Sequence, residues 1–294
     1  MSVYLTRGRS ALLVGEMPGQ DDVLFVNQRF DGGKLADARF SHCTFANVSF
    51  KDASLLNCHF TACVFEGCYF RDTKVMECFF PASRFIDCEF VKPLLTNSNF
   101  GYARFVRTLI PYTAMEASFP VQANVCRELA SNLAVQAVAL GNHLDARRYR
   151  LKSIAKREEA LWRAVRWADD YSQRHYPSDL MRIEAFLQLV LSKLNGVLWG
   201  YGESVGRLLI NLVALSTVVF PLLLLLAHND LHTAGSIAPG DAWALSLATI
   251  VNNSGSSGIR TTGIAQAFVV TETLLGFVFF GLFVSYLFRA ISRR

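Results

Sequence analysis

A run of small polar residues interrupts the apolar C-terminal part of this 294-residue chain, and its side chains are of the types that coordinate ions. The run follows an apolar segment at residues 241–251 and includes the last positions of that segment: Thr249, Ile250, Val251, Asn252, Asn253, Ser254, Gly255 and Ser256. Amide, hydroxyl and main-chain carbonyl oxygens that line a narrow passage replace part of the hydration shell of a small ion. The chemistry that we expect here is therefore ion coordination.

Two carboxylates lie near this run in the sequence. Asp241 begins the apolar segment, and Glu272 lies inside the last apolar stretch of the chain. An ionisable group within a membrane segment is functional by default. Two roles stay open for Glu272, which are support of the polar run from behind and direct contact with an ion. Together the two acids favour a weak preference for cations.

The other reactive side chains show no catalytic pattern. The six His residues have no ligand spacing apart from His228 and His232, which lie four residues apart outside a clear helix. The sequence contains no glycine-rich phosphate loop and no nucleophile elbow. Six of the seven Cys are separated by multiples of five residues, which is not the spacing of a metal site: Cys43, Cys58, Cys63, Cys68, Cys78 and Cys88. We expect no enzyme activity, no cofactor and no bound metal.

The Cys spacing belongs to a longer period of five. From residue 30 to residue 105 every fifth position is large and apolar, and twelve of these sixteen positions are Phe: Phe30, Leu35, Phe40, Phe45, Phe50, Leu55, Phe60, Phe65, Phe70, Val75, Phe80, Phe85, Phe90, Leu95, Phe100 and Phe105. Neither an α-helix nor a half-buried strand has this period. A second register of small residues lies two positions before the first, with Pro93 as its exception. The chain is therefore expected to turn a corner every five residues.

The four members of the ladder that are not Phe lie twenty residues apart, which predicts four pentapeptides per coil. Residues 26–110 thus resemble the pentapeptide-repeat family, and the resemblance implies a right-handed quadrilateral β-helix. Cysteines twenty residues apart, such as Cys43 and Cys63, are then neighbours on adjacent coils. We expect free buried thiols, which suit a reducing, cytosolic compartment.

Charge argues against one function that some pentapeptide-repeat proteins have, the mimicry of DNA. Residues 31–105 contain eight acidic and eight basic residues, so their net charge is 8 − 8 = 0. Mimicry of DNA requires an acidic surface, and we expect no nucleic-acid partner.

Two apolar stretches predict a membrane protein. Residues 208–227 carry no charge, and only Glu272 interrupts residues 267–288, so we expect spans at about 206–227 and 264–289. Arg207 precedes the first span and Arg289 follows the second, whereas residues 228–266 contain the single Arg260. The positive-inside rule then places both termini in the cytoplasm of a bacterial inner-membrane protein.

Residues 111–204 predict a helical linker, with helices near 121–139, 142–172 and 178–198. The middle helix has eight basic and three acidic residues between positions 142 and 167, together with Trp162 and Trp167. Two interpretations stay open for it, which are contact with anionic lipid and a solvated face that packs its aromatic side chains on a neighbouring helix.

Residues 241–251 are too short to span a bilayer and too apolar for an ordinary loop, so we expect a pore helix followed by a filter at about 252–258. Span, pore helix, filter and span resemble the two-transmembrane potassium-channel superfamily, as does the sequence from Glu272 to Gly276. The filter lacks the Gly-aromatic-Gly core of that superfamily, so potassium selectivity is not implied. The resemblance implies a homotetramer. Gate and hinge candidates, each with a lipid-facing or packing alternative, are Gly276, Phe279, Phe280, Gly281 and Phe283.

These inferences combine into a mixed fold. We expect an N-terminal segment at 1–25, a cytosolic β-helix at 26–110, the helical linker at 111–204, and a two-transmembrane pore domain with a re-entrant loop at 205–294. The expected function is a weakly cation-selective ion channel, with the bilayer and permeant ions as partners and with the β-helix as a gating module or a docking site for a cytosolic protein. The alternative is a membrane-anchored interaction scaffold with a vestigial pore.

Overall fold

The computed structural model describes residues 20–167, 170–202, 204–232, 238–250 and 258–292. The chain divides into two units, residues 1–189 and residues 190–294. Each unit contains apolar clusters of its own.

Short parallel strands make up the first part of the first unit. They are β1 (Gln20–Asp21), β2 (Leu24–Val26), β3 (Lys34–Ala36), β4 (Arg39–Ser41), β5 (Thr44–Ala46), β6 (Ser54–Leu56), β7 (His59–Thr61), β8 (Val64–Glu66), β9 (Tyr69–Arg71), β10 (Lys74–Met76), β11 (Arg84–Ile86), β12 (Glu89–Val91), β13 (Leu94–Thr96) and β14 (Arg104–Val106). They form four sheets, in the orders β1-β4-β7, β3-β6-β10-β13, β2-β5-β8-β11-β14 and β9-β12. Each residue pairs with the residue twenty positions later, as Phe45 does with Phe65. The predicted four-sided coil of twenty residues is confirmed, and the strands form a β-solenoid of about four turns.

Stacked rings fill the solenoid. Phe45 and Phe65 have ring centroids 4.8 Å apart at an interplanar angle of 6°, and Phe65 and Phe85 repeat this geometry at 4.8 Å and 4°. The sheet β3-β6-β10-β13 carries the aliphatic column instead, in which Leu35 pairs with Leu55. This is the separation of aliphatic and aromatic faces that the twenty-residue spacing predicts. The solenoid also includes residues before position 26, because Gln20 pairs with Phe40 and Phe25 stacks on Phe45.

A residue in the left-handed conformation turns the chain at every fifth position. These residues are Asp22, Asn27, Gly32, Asp37, His42, Asn47, Asp52, Asn57, Ala62, Gly67, Asp72, Glu77, Ala82, Asp87, Lys92, Asn97, Tyr102 and Arg107. Asp, Asn and Gly, which tolerate positive φ best, hold eleven of these eighteen corners.

A short helix, α1 (Tyr112–Met115), follows the solenoid, and α2 (Ala123–Ala139) covers its last strand. Asn132 Oδ1 accepts the Phe105 N–H at 2.8 Å, and Gln136 Oε1 accepts the Arg107 N–H at 2.7 Å. These amide side chains satisfy backbone groups at the open edge of the sheet. Tyr149 is buried nearby, and its hydroxyl donates to the Ile110 carbonyl at 2.7 Å.

Three further helices follow, α3 (His143–Arg166), α4 (Asp170–His175) and α5 (Asp179–Trp199). α3 ends six residues before position 172 because Trp167 takes the left-handed conformation, with φ 53°. The Arg182 guanidinium lies 4.8 Å from the centroid of the Trp167 ring, and the indole N–H donates to the Tyr176 carbonyl at 3.2 Å. α5 continues into the second unit.

The second unit contains two helices long and apolar enough to cross a membrane, Val205–Leu226 and Gly263–Phe288. The first consists of α6 (Val205–Ala214), a π-helical turn (Leu215–Val219) and α7 (Phe220–Leu226). The second is the major part of α9 (Gly263–Ser292). Between them lie β15 (Leu231–His232), the short helix α8 (Pro239–Ile250) and β16 (Arg260–Thr261), with β15 antiparallel to β16.

Candidate pore site

Pro221 determines the local geometry of the first apolar helix. Proline has no backbone N–H, so the Thr217 carbonyl, four residues earlier, lacks its usual helical donor. The Ser216 carbonyl loses its usual donor, the Phe220 N–H, because that group bonds a different carbonyl. The helix widens into the π-helical turn at this point, where the Phe220 N–H donates to the Leu215 carbonyl. Two acceptors are therefore left open within an apolar helix.

Helix α8 supplies the donors for these two carbonyls. The Trp243 indole N–H donates to the Thr217 carbonyl oxygen at 2.8 Å, and the Ser246 hydroxyl lies 2.9 Å from the Ser216 carbonyl oxygen. Both serines are buried. Because a buried carbonyl without a donor is costly, these contacts fix the position of α8 against the first apolar helix.

Glu272 connects α8 to α9. Its side chain is fully buried, and its Oε1 atom is hydrogen-bonded to the Ser246 hydroxyl. Its Oε2 atom is buried and has no hydrogen-bond partner among the described residues. An unpaired carboxyl oxygen in an apolar environment is unfavourable. Glu272 is therefore an unusual residue for an apolar helix, because its carboxyl group is buried and only one of its two oxygens is hydrogen-bonded.

The C-terminal end of α8 lies close to α9. Thr249 is buried, and its hydroxyl donates to the Leu245 carbonyl one turn earlier at 2.7 Å. The Ile250 carbonyl oxygen lies only 3.1 Å from the position that a Cβ atom would take on Gly276. The absence of a side chain at Gly276 thus permits this close approach. The other filter candidates, residues 251–256, lie outside the described residues.

Two aspartates hold helix ends in this unit. The Asp241 carboxylate accepts the Ala238 N–H at 2.8 Å at the start of α8. The Asp230 carboxylate accepts the Ile264 N–H at 2.8 Å at the start of α9. A Cβ atom on Gly263, which has φ +51°, would lie 2.7 Å from an Asp230 carboxylate oxygen. Asp230 therefore joins the end of the first apolar helix to the beginning of the second.

The gate candidates on α9 differ in their surroundings. Phe279 is buried, Phe283 is half-buried and Phe280 is 67 % exposed. All three line an apolar cavity of about 210 Å³, together with Gly276, Ile250 and the α6 residues Leu208, Leu209 and Leu212. Among the described residues, no atom outside the local helix backbone lies within 4 Å of the position that a Cβ atom would take on Gly281. Close packing explains Gly276, then, but within this chain it does not explain Gly281.

The described part of the chain contains no group of three or more His, Cys, Asp or Glu placed to hold a metal ion. His232 instead lies with its Nε2 atom 3.1 Å from the Thr262 hydroxyl.

The structure brings Thr249, Ile250, Glu272 and Gly276 of the predicted site together around the end of α8. It adds residues that sequence reasoning did not single out: Ser216, Thr217, Asp230, Trp243 and Ser246. Pro221, inside an otherwise continuous apolar run, was the available signal, because it predicts open carbonyls one turn earlier.

Comparison with known proteins concerns the solenoid. The pentapeptide-repeat family matches residues 34–72 as eight copies. Similar solved structures include QnrB1, a plasmid-mediated fluoroquinolone resistance protein, at 19% identity over 36% of this chain and 56% of that chain, with a TM-score of 0.29. A pentapeptide repeat protein of the Arabidopsis thaliana thylakoid lumen matches at 16% identity over 42% of this chain and 88% of that chain, with a TM-score of 0.34.

HetL, a pentapeptide repeat protein involved in heterocyst differentiation regulation in the cyanobacterium Nostoc, matches at 10% identity over 32% of this chain and 42% of that chain, with a TM-score of 0.20. This chain thus spans about half the length of the first of these proteins, QnrB1. No curated protein matches the chain. The first unit of this chain therefore carries pentapeptide repeats folded as a β-solenoid.

Proposed function

We propose that this chain is the subunit of a homotetrameric ion channel of the bacterial inner membrane, weakly selective for cations and with a filter unlike that of potassium channels. The observation that carries the proposal is the position of α8. Its twelve residues are too few to span a bilayer, yet hydrogen bonds tie it to both apolar helices, and those of Ser246 are buried. Such a helix is tolerated at membrane depth where protein surrounds it and it lines a cavity.

The two apolar helices support a membrane location because they expose large apolar side chains. Ile210 and Leu226 are 69 % and 74 % exposed in the first, and Phe280 and Phe288 are 67 % and 72 % exposed in the second. Apolar surface of this extent fits lipid or neighbouring copies of the chain better than water. Two spans cannot enclose a pore, so a channel requires several copies, and the resemblance to two-transmembrane channels suggests four with cyclic symmetry.

The proposed filter follows α8 directly. Asn252, Asn253 and Ser254 would present amide and hydroxyl groups in a ring formed by four copies. Such groups are polar and neutral, so they would hold a partly hydrated ion without strong discrimination. Glu272 is buried behind the end of α8 and favours cations in this pore.

The proposed role of the solenoid is gating or docking in the cytoplasm. Its core positions are filled by Phe, Leu and small residues, and its charges balance, which suits a protein partner rather than a nucleic acid. Under this proposal both termini lie in the cytoplasm.

Recordings from purified full-length protein in planar bilayers test the channel. We expect unitary currents whose reversal potential shifts weakly toward the cation potential in a salt gradient. Replacing Asn252 and Asn253 together with Ala should change conductance or ion preference. Asn229→Ala is the matched control, because Asn229 is an exposed asparagine of the same unit outside the filter segment, and it should leave both unchanged.

Protein that inserts into the bilayer but gives no unitary currents with any small ion or voltage would refute the channel. That outcome would favour the interaction scaffold with a vestigial pore. Currents that are unaltered by the double Asn substitution would instead show that the filter lies elsewhere.

A further inference from the structure

A cavity of about 730 Å³ lies in the first unit, beside the end of the solenoid. Its walls are the first turn of α2, one face of α3, the end of α4 and the beginning of α5. The volume lies within the range of about 300–1,000 Å³ that small-molecule sites occupy. The solenoid itself is filled by side chains, and nearly all residues that line this cavity belong to the helices that follow it.

One part of the cavity lining consists of small apolar side chains, which we call its floor. Ala123, Ala160 and Ala185 line it, and Ala185 is only 1 % exposed. Three alanines leave room where larger side chains would fill the space. Tyr102 and Tyr176 lie at its edge and add aromatic surface. A planar ring is the ligand part that this combination of small apolar floor and aromatic edge accommodates best.

The polar side of the cavity is predominantly basic. Arg127, Arg163 and His175 line it together with one acid, Glu184, and a second acid outside the lining, Glu159, offsets part of the Arg163 charge. The Glu184 carboxylate accepts a hydrogen bond from the Gln188 side chain at 3.0 Å, and Arg163 is oriented by an ion pair with Glu159 at 2.5 Å. Arginine at such positions recognises phosphate and carboxylate groups through several N–H donors in one plane.

The backbone on the same side agrees with this charge. α2 begins at Ala123 without a side-chain cap and without an acidic residue in its first turn. Its first residues line the cavity, so the positive end of this 17-residue helix reinforces the field of the two arginines. The cavity thus combines an anion-binding wall with an apolar floor.

We propose that this cavity binds a small anionic molecule with a planar ring, of the chemical class of the nucleoside phosphates. Arg127 and Arg163 hold the phosphate, and the alanine floor and the two tyrosines hold the base. The site lies in the first unit and does not depend on conduction through the second. Binding is therefore measured without recording currents.

Titration calorimetry on the full chain in lipid nanodiscs tests this proposal, with AMP, GMP, CMP and UMP as probes in turn. At least one should bind saturably, with inorganic phosphate and the free nucleoside each weaker by about tenfold or more. Arg127→Glu and Arg163→Gln should each weaken binding by about tenfold or more. Arg147→Glu is the matched control, because Arg147 is exposed on α3 and does not line the cavity, and it should keep the affinity of the unchanged chain.

Three results would overturn the proposal. They are no saturable binding of any of the four nucleotides, phosphate binding as tight as nucleotide binding, and equal loss of binding in the Arg127 and Arg147 variants. Thermal unfolding of each variant distinguishes a lost site from a lost fold, and the exposed position of Arg127 predicts an unchanged midpoint.

Discussion

The small residues that face into the solenoid form hydrogen bonds at its corners. The Ser83 hydroxyl donates to the Phe60 carbonyl at 2.6 Å and accepts the Cys63 N–H at 3.1 Å. Cys68 repeats the donor half of this pattern, because its thiol donates to the Phe45 carbonyl at 3.1 Å. A side chain at this position must therefore be small. Ser, Thr and Cys also supply hydrogen bonds to the neighbouring backbone groups, which Ala at the same register cannot do.

Replacing Ser83 with Ala should lower the free energy of unfolding by about 1–3 kcal/mol, because it leaves two buried backbone groups without partners. Ser83→Cys should lose less, since a thiol retains weak versions of both bonds. Thr61→Ala is the control, because Thr61 faces solvent in β7, and it should change stability by less than about 0.5 kcal/mol. Denaturant unfolding of the full chain in detergent, followed by circular dichroism, measures the three values. Equal losses for Ser83→Ala and Thr61→Ala would contradict the role assigned to the corner hydroxyl.

At the scale of elements, the solenoid was predictable because each coil repeats the same sequence pattern, with a large apolar residue at every fifth position. The period of five predicted the corners, and the aliphatic members Leu35 and Leu55 predicted the twenty-residue coil. The beginning of the solenoid was only partly predictable from the ladder, because Phe25 continues the period of five but the preceding member, Gln20, pairs in the first strand without a large apolar side chain. The end of α3 was also missed, since a left-handed Trp167 is stabilised by contacts with Arg182 and Tyr176, which no local pattern reveals.

The candidate site was predictable only where a residue differs in polarity from the residues around it in the sequence. Glu272 stood out as a charge within an apolar stretch, and the structure places it in full burial against Ser246. Ser246 and Trp243 did not stand out, because serine and tryptophan are unremarkable in an apolar helix until the carbonyls that they contact are known. Asp230 was missed because its partner, the Ile264 N–H, lies 34 residues away.

The contact between Trp243 and the Thr217 carbonyl should depend on Pro221. In Pro221→Ala the restored N–H competes for this carbonyl, so the helix no longer needs the indole. Trp243→Phe should therefore cost about 1 kcal/mol more in the unchanged chain than in the Pro221→Ala background. A double-mutant cycle from thermal unfolding in detergent measures this coupling. Strict additivity of the two substitutions would show that the indole contact does not depend on the proline.

The two units of the whole molecule differ in where their hydrogen bonds lie and in how much apolar surface they expose. The solenoid pairs its corner backbone groups internally and keeps the inward-facing rings of its five-residue ladder buried, as Phe65 and Phe85 are. The second unit exposes apolar side chains along both long helices and buries its polar contacts around α8. We therefore expect the free energy of unfolding of the first unit to depend on the pH of the solution.

Alkaline pH is the condition to which the first unit should respond. Burial raises the pKa of the Cys63 thiol to about 12, and it also raises the pKa of Cys43 and of Cys126. The pKa of the Tyr149 hydroxyl is raised by burial as well. In the unfolded chain these groups have ordinary pKa values of about 8.5 for Cys and about 10 for Tyr. The unfolded chain therefore releases its protons at a lower pH than the folded chain.

The free energy of unfolding should accordingly fall as pH rises above about 9. A group whose pKa is higher in the folded chain than in the unfolded chain contributes its full stabilisation below the unfolded-state pKa. That contribution is lost as pH rises toward the folded-state pKa. A group whose folded-state pKa lies above the interval from about pH 9 to about pH 11, as that of Cys63 does, adds a slope of about 1.4 kcal/mol per pH unit. Cys63→Ser removes one group, so its loss of stability between about pH 9 and pH 11 should be shallower by this amount, whereas Thr61→Ala should keep the full slope. Denaturant unfolding of the full chain in detergent at a series of pH values, followed by the β-sheet signal, gives both slopes. Identical slopes for the two variants would mean that the Cys63 thiol ionises as readily in the folded chain as in the unfolded one, contrary to its burial inside the solenoid.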